Sequence, residues 1–355
     1  MSKELSKKSA RKPPTKIPRS VQYDMFTNFL GTDTKDLSNT IELWDAIPKY
    51  AVLPRTQNNL RDEKGRLPVH EQVFQYRPTY ASDTRPKTCK VTVRPVSIKD
   101  KAGNYTDYYP STDEELIEEV IKKIFSDQQF GSHAPDKKES WVKFSLGMIQ
   151  KELKARGKSR SIDQIKQSLE ILSFSVYQVE MINDEGDTLL YRNPILNDVT
   201  TVTRKRYLLN PSEMWCARLP AIISKSVNEL SYRQFNYGRL MKLSTPLARW
   251  FLKRLSHNYI NADLLGSYDI LHTSVVRDTG LLNHPRMSRN IKDALAAIQE
   301  LKDNDVLLSF DYEQRLKGRK IADVYYHLRP SPEFVREMKA ANRRNTDDRK
   351  RLPNR

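Results

Sequence analysis

The sequence predicts an α+β fold of two tandem winged helix-turn-helix domains with disordered basic termini. Three observations carry that expectation. Residues 145–192 and 272–328 share one order of elements: a short helix, a polar turn, a longer amphipathic helix, then two strand-like runs joined by a charged hairpin. The 355-residue chain is long enough for two domains with their own cores. Its formal net charge is +17, and most of the excess sits at the two ends.

Residues 1–19 hold seven Lys/Arg against one acidic residue, and residues 336–355 hold eight against three. Both ends read as disordered arms, too charged and too poor in apolar residues to fold alone. Clustered cations release counterions from phosphates, so nucleic acid is the expected partner. Only Cys89 and Cys216 occur, neither in a CxxC spacing, which argues against a zinc site or a disulfide framework and suits a reducing cytoplasm. No apolar run nears the ~20 residues of a membrane span. The basic N-terminus lacks the apolar stretch of a signal peptide. Eleven glycines leave little room for glycine-rich phosphate loops, and the sequence implies no cofactor and no metal.

Residues 1–20 form a Lys/Pro/Ser-rich arm. From residue 21 to 85, Pro48, Pro54, Pro68 and Pro78 break any helical pattern, so loops and short strands are expected. Residues 87–98 alternate apolar and polar side chains and read as a strand. Ser111-Thr112-Asp113 then caps a helix with Glu114 and Glu115 in its first turn and Leu116, Val120, Ile121 and Ile124 on its apolar face. Residues 131–140 read as a polar loop and WVKFSL as a short strand. After the first helix-turn-helix unit, KRYLL at 205–209 is expected to add a sheet strand, and residues 210–243 to be mainly helical. Ser244-Thr245-Pro246 starts a further helix with Leu247, Trp250, Phe251 and Leu255 on its core face and Arg249, Lys253 and Arg254 away from it. A last helix spans 333–341. The expected domains are a basic arm (1–20), an N-terminal winged-helix domain for DNA contact and dimerisation (21–225), a C-terminal winged-helix domain for the main DNA reading (226–335) and a basic tail (336–355).

Each unit carries one candidate recognition helix. At about 100° per residue, Ile162, Ile165, Leu169 and Leu172 share a face in the first, opposite Arg160, Asp163, Gln164 and Gln167, with Lys158 and Ser159 at the N-terminal turn. Gln and Arg suit the edges of adenine and guanine. In the second, Met287, Ile291, Ala294, Leu295, Ile298 and Leu301 face the core. The opposite side holds Arg286, Arg289, Lys292, Asp293 and the small Ala296, with Ser288 in the first turn. Cations sit better near a helix C-terminus, so three in the N-terminal half call for a phosphate or a guanine edge. The hairpin after the second helix has a basic tip, Arg315, Lys317, Arg319 and Lys320, with Gly318 able to take positive φ. The first hairpin has an acidic tip, Asn183-Asp184-Glu185-Gly186-Asp187, which would repel phosphate and is expected to face away from DNA or toward a protein.

Catalytic patterns fail. Gly157-Lys158-Ser159 resembles the end of a phosphate-binding loop, but the glycine required at 152 is Glu152. None of the six histidines stands in a His-x-His pair, as a nicking enzyme needs, or in the His-x-x-Arg of a tyrosine recombinase. The expectation is a protein that is not an enzyme.

The segment before the second unit, SYRQFNYGRLMKLSTPLARWFLKRLSHNYINA (231–262), with Pro246-Leu247-Ala248-Arg249-Trp250 its most distinctive run, resembles plasmid replication initiators of the RepA type. The likeness extends over roughly 110–330. It implies binding to directly repeated origin sequences (iterons), origin opening, and recruitment of a host initiator and the replicative helicase. It also implies a monomer–dimer equilibrium with repression of the chain's own gene and copy control, and a cytoplasmic, DNA-associated protein. By position it assigns base reading to Arg286, Arg289 and Lys292 in the second domain and to Arg160, Gln164 and Gln167 in the first. The alternative is a winged-helix repressor without initiator activity. Two unlike reading units favour a long asymmetric site over the palindrome that a simple dimeric repressor uses. An RNA-binding role is the third reading, but the glycine-rich and aromatic motifs of common RNA modules are missing.

Overall fold

A computed structural model of the chain describes residues 36–350 except 79–83, 101, 127–129, 184–185, 211–212, 260–262 and 264. The expected arm at 1–20 lies outside the described residues, as do Asp184 and Glu185 of the first hairpin tip. The fold mixes helices with antiparallel sheets. It begins with β1 (Leu37–Ile41), α1 (Glu42–Ala46), α2 (Pro54–Leu60), β2 (His70–Tyr76), β3 (Lys87–Arg94), β4 (Val96–Lys99), β5 (Tyr105–Tyr108) and α3 (Thr112–Phe125). Next come β6 (Gly131–Ala134), β7 (Glu139–Phe144), α4 (Leu146–Ala155), α5 (Ile162–Phe174), β8 (Val176–Met181) and β9 (Thr188–Asn193). They are followed by β10 (Asn197–Thr200), α6 (Arg204–Leu209), β11 (Trp215–Arg218), α7 (Ala221–Glu229), β12 (Tyr232–Asn236), α8 (Tyr237–Lys242) and α9 (Pro246–Asn258). The chain closes with β13 (Tyr268–Leu271), α10 (His272–Thr279), α11 (Met287–Asp303), β14 (Leu307–Lys317), β15 (Lys320–Pro330) and α12 (Pro332–Lys350).

The helix–helix–hairpin order predicted twice is present twice, as α4–α5–β8–β9 and as α10–α11–β14–β15. The first hairpin belongs to a four-stranded sheet of order β2-β3-β8-β9, and the second to a three-stranded sheet β13-β15-β14. A second four-stranded sheet runs β10-β11-β7-β6, and two ribbons, β1-β12 and β4-β5, complete the pairing. The predicted core faces are inside: Ile165, Leu169 and Leu172 of α5, and Ile291, Ala294, Ile298 and Leu301 of α11, are buried.

Several segments differ from the sequence expectation. Residues 205–209 form the helix α6 rather than a strand. Thr203 caps it by accepting the Arg206 N–H, and β11 fills the sheet position between β10 and β7. The strand expected at 87–98 divides at Pro95 into β3 and β4, since proline has no N–H for the ladder. Residues 131–134, read as loop, pair with β7. Residues 36–78 contain two short helices besides strands, and residues 210–243 hold β11 and β12 as well as helices. The basic tail is not disordered over residues 336–350. They continue α12, because Met338, Ala341, Asn345 and Asp348 recur at helical spacing and are buried. Residues 351–355 lie outside the described residues.

The side of α9 that lies away from its apolar face is also packed, against α3 and α1. Arg249 is fully buried and donates from Nη2 and Nε to Glu115 at 2.7 and 3.0 Å. Lys253 lies 2.6 Å from Glu119 and 3.2 Å from Asp45, and Lys122 joins the same two carboxylates. Burial alone would push the Asp45 carboxyl up, but Lys122, Lys253 and Lys49 hold it well below the carboxylate range. Burial alone would lower Lys253, but Asp45 and Glu119 raise it well above the lysine range. The lattice therefore stays ionised. It joins the helix that leads into the second unit to the helix on which the first unit rests.

Candidate nucleic-acid interface

The second unit presents its candidate reading helix, α11, on a fixed turn. Gly280 ends α10 at φ +64°, and a Cβ there would meet Ala51 Cβ at 2.9 Å, so both conformation and space require glycine. The following turn is held by Asn290, whose amide oxygen accepts from His284 N (3.0 Å) and whose Nδ2 donates to His284 O (2.9 Å). His284 Nδ1 accepts from Arg286 N at 3.0 Å. This places Arg286 at the N-cap of α11 with no side-chain cap and no acidic residue in the first turn. The unopposed N-terminal dipole and the cationic side chains both favour an anion there.

Arg286, Ser288, Arg289 and Lys292 are all exposed on the outer face of α11, together with Asp293 and Ala296. Arg289 Nε lies 3.4 Å from Asp293, with both side chains at least half exposed. An exposed pair of this kind contributes little to stability, so the guanidinium is available to a stronger partner.

The hairpin β14–β15 closes through Gly318-Arg319, with Gly318 at φ +65°. Lys317 and Lys320 face each other directly across the ladder. Like charges opposed in this way destabilise the pair, and a phosphate beside them would relieve the repulsion. The Arg315 guanidinium stacks 5.0 Å from the centre of the Tyr325 ring. At the base of the hairpin, Asp323 accepts from Thr273 N at 3.1 Å and from Thr273 Oγ1 at 2.7 Å. Here β15 supplies the cap that α10, with Leu271 at its N-cap, lacks in its own sequence. His272 Nδ1 and the Tyr326 hydroxyl are 2.9 Å apart, which ties the same two elements together. All eight candidates of the second unit are therefore accessible, four on one helix face and four around one hairpin tip.

The first unit is different. Lys158 turns inward and donates to Leu243 O at 3.2 Å, and burial followed by the neighbouring Arg249 lowers its pKa. Arg160 pairs with Asp113 of α3 at 2.6 Å. Gln164 closes a capping box with Ser161, accepting the Ser161 N–H at 2.9 Å while Ser161 Oγ accepts from Gln164 N at 3.1 Å. Ser159 and Gln167 are exposed. The structure thus does not present the five alike: Lys158 and Arg160 are half-buried and engaged by protein groups, Gln164 closes the capping box while remaining exposed, and Ser159 and Gln167 face solvent.

Sequence reasoning missed the buried charges that fix these surfaces. A signal was present. Glu114, Glu115, Glu118 and Glu119 recur at i, i+1, i+4 and i+5 on α3, and Arg249 and Lys253 lie one turn apart on α9. Charges so spaced mark complementary helix faces. Neither the acidic face nor the basic one shows alone that the two helices meet.

No protein-family model matches the chain, and no curated protein matches it by sequence. Among solved structures it is similar to domains 2 and 3 of RctB. One such crystal structure shows 11% identity over 86% of this chain and 98% of that chain, with a TM-score of 0.44. Another shows 12% identity over 82% and 99%, with a TM-score of 0.44. It is also similar to the Pi initiator protein, crystallised in complex with iteron DNA, at 12% identity over 62% of this chain and 91% of that chain, with a TM-score of 0.43.

Proposed function

We propose that the chain is a sequence-specific, non-enzymatic initiator of plasmid replication that binds direct repeats of duplex DNA at an origin. In this reading its two helix–helix–hairpin units are winged helix-turn-helix domains. The observation that carries it is the second unit, where an uncapped helix N-terminus, the Arg286–Lys292 face and a four-cation hairpin tip stand on one scaffold. A helix of this kind reads base edges in the major groove while the hairpin holds phosphates. The resemblance of residues 231–262 to RepA-type initiators directs the reading toward replication. The first unit, with its engaged Lys158, Arg160 and Gln164, contributes fewer base contacts and is the candidate for self-association. Origin opening, contact with the host initiator and helicase, repression of its own gene and a DNA-associated cytoplasmic location belong to the same proposal. No helix among the described residues is long and apolar enough to cross a membrane.

The test is a replicon assay. A circle carrying only a selectable marker, this gene and its flanking DNA is expected to be maintained in the host. Loss of maintenance on replacing Arg286, Arg289 and Lys292 together is also expected. A circle never maintained, with the promoter still repressed by the chain, would support the repressor reading instead.

A further inference from the structure

The C-terminal helix α12 carries a charge pattern that the fold does not use. At about 100° per residue, Arg336, Lys339, Arg343 and Lys350 fall within roughly 60° of one another. All four are exposed. Lys350 stands 3.9 Å from Asp347 on the same stripe. Arg336, Lys339 and Arg343 have no ion pair or side-chain hydrogen bond among the described residues. Arg336 and Lys339 lie in the N-terminal half of the helix, where its dipole does not favour them.

The opposite face is tied down by several polar anchors. Arg233, 1% exposed, donates from Nη2 to Met338 O at 3.2 Å. Glu337 accepts from Asn236 at 3.0 Å and from Arg239 at 2.8 Å. Asn345 donates to Leu230 O and Tyr232 O at 3.2 and 3.3 Å. These anchors all belong to residues 230–239, around the β1-β12 ribbon. The helix also begins at the base of the basic hairpin, where Ser331 Oγ accepts the Phe334 N–H at 3.0 Å. The cations around α12 thus differ: Arg233, Arg239 and Arg349 bind protein groups, whereas Arg336, Lys339 and Arg343 on the outer stripe have no ion pair among the described residues.

We propose that this outer stripe of α12 is a separate binding site for the phosphate backbone of duplex DNA, outside the reading helix and hairpin. It rests on the reading of the chain as a DNA-binding protein. Arg336 and Arg343 are about 10 Å apart along the helix axis, far enough for the stripe to contact successive phosphates. Such contacts add affinity and salt dependence without base preference.

The experiment compares the full-length protein with the variant Arg336→Gln/Lys339→Gln/Arg343→Gln. Binding is measured between 50 and 200 mM KCl to a duplex taken from the DNA flanking the gene and to a random duplex of equal length. Each lost phosphate contact lowers the slope of log K against log salt by about 0.9, so the expected drop is nearly 3 on both duplexes. That is roughly a 40-fold smaller loss of affinity over this salt range. The ratio between the two duplexes should not change. A charge-preserving variant, Arg336→Lys/Lys339→Arg/Arg343→Lys, should keep the wild-type slope, which separates charge from folding. Wild-type binding with an unchanged slope in the neutral variant overturns the inference and points the stripe to an acidic protein surface. A wild-type protein that binds neither duplex overturns the DNA-binding reading itself.

Discussion

The Asp323 carboxylate of β15 accepts two hydrogen bonds from Thr273, one from the backbone N–H and one from the hydroxyl, and so caps α10 from the hairpin. The hairpin and the helix pair α10–α11 are therefore one mechanical piece rather than a flap beside two helices. Replacing Asp323 by Ala should cost about 1 kcal/mol of stability, as loss of a helix cap does. Urea denaturation of Asp323→Ala, Thr273→Val and the double variant checks this. The two single losses should not add fully, because both remove the hydroxyl–carboxylate bond, although only Asp323→Ala also removes the backbone one. Additive losses would show that the two residues act independently.

Arg249 and Glu115 make a buried pair whose two halves need each other. Arg249→Ala leaves Glu115 charged and unpaired beside the lattice of Lys253, Glu119 and Asp45. The expected loss is about 3–5 kcal/mol. An apolar replacement of both, Arg249→Met with Glu115→Leu, should recover most of it. Denaturant midpoints of the three proteins give the answer.

Stability should fall as the solution is acidified through the histidine range. Burial holds the His257 imidazole down to about 3, and burial also lowers His70, His133 and His272. A folded pKa below the unfolded one means that the unfolded chain binds more protons between the two values. The stabilisation is then complete above pH ~6.5 and is lost on acidification toward 3. His257 alone contributes a slope of about 1.4 kcal/mol per pH unit inside that window. Asp45 adds its own loss only as the pH falls below the ordinary carboxylate value of ~3.9. Denaturation midpoints between pH 7.5 and 4.5 should decline, and less steeply for His257→Gln.

Much of this was legible in the sequence where one element decides its own structure. Ser111-Thr112-Asp113 reads as a helix start, and α3 begins at Thr112 with Ser111 at its N-cap. Ile291, Ala294, Ile298 and Leu301 recur at helical period and are buried. Gly318 between Lys317 and Arg319 marks the hairpin tip. What was not legible depends on a partner distant in sequence. Arg160 read as a base-reading group from its own segment, yet Asp113, 47 positions earlier, engages it. Arg249 and Lys253 fall away from the apolar face of α9, and their burial was not legible because their acidic partners lie 134 positions earlier in the chain. The tail read as disordered because its net charge hides Met338, Ala341 and Asn345, which find β12 only in three dimensions.

The most direct measurement is footprinting of the DNA flanking the gene, with the wild-type protein and with Arg289→Ala. If α11 reads bases, the wild type should protect several evenly spaced direct repeats. Arg289→Ala should lose about 1–3 kcal/mol on those repeats and relax the preference at one base position. Protection of one inverted repeat, or equal loss by Arg289→Ala on repeat and random DNA, would contradict it.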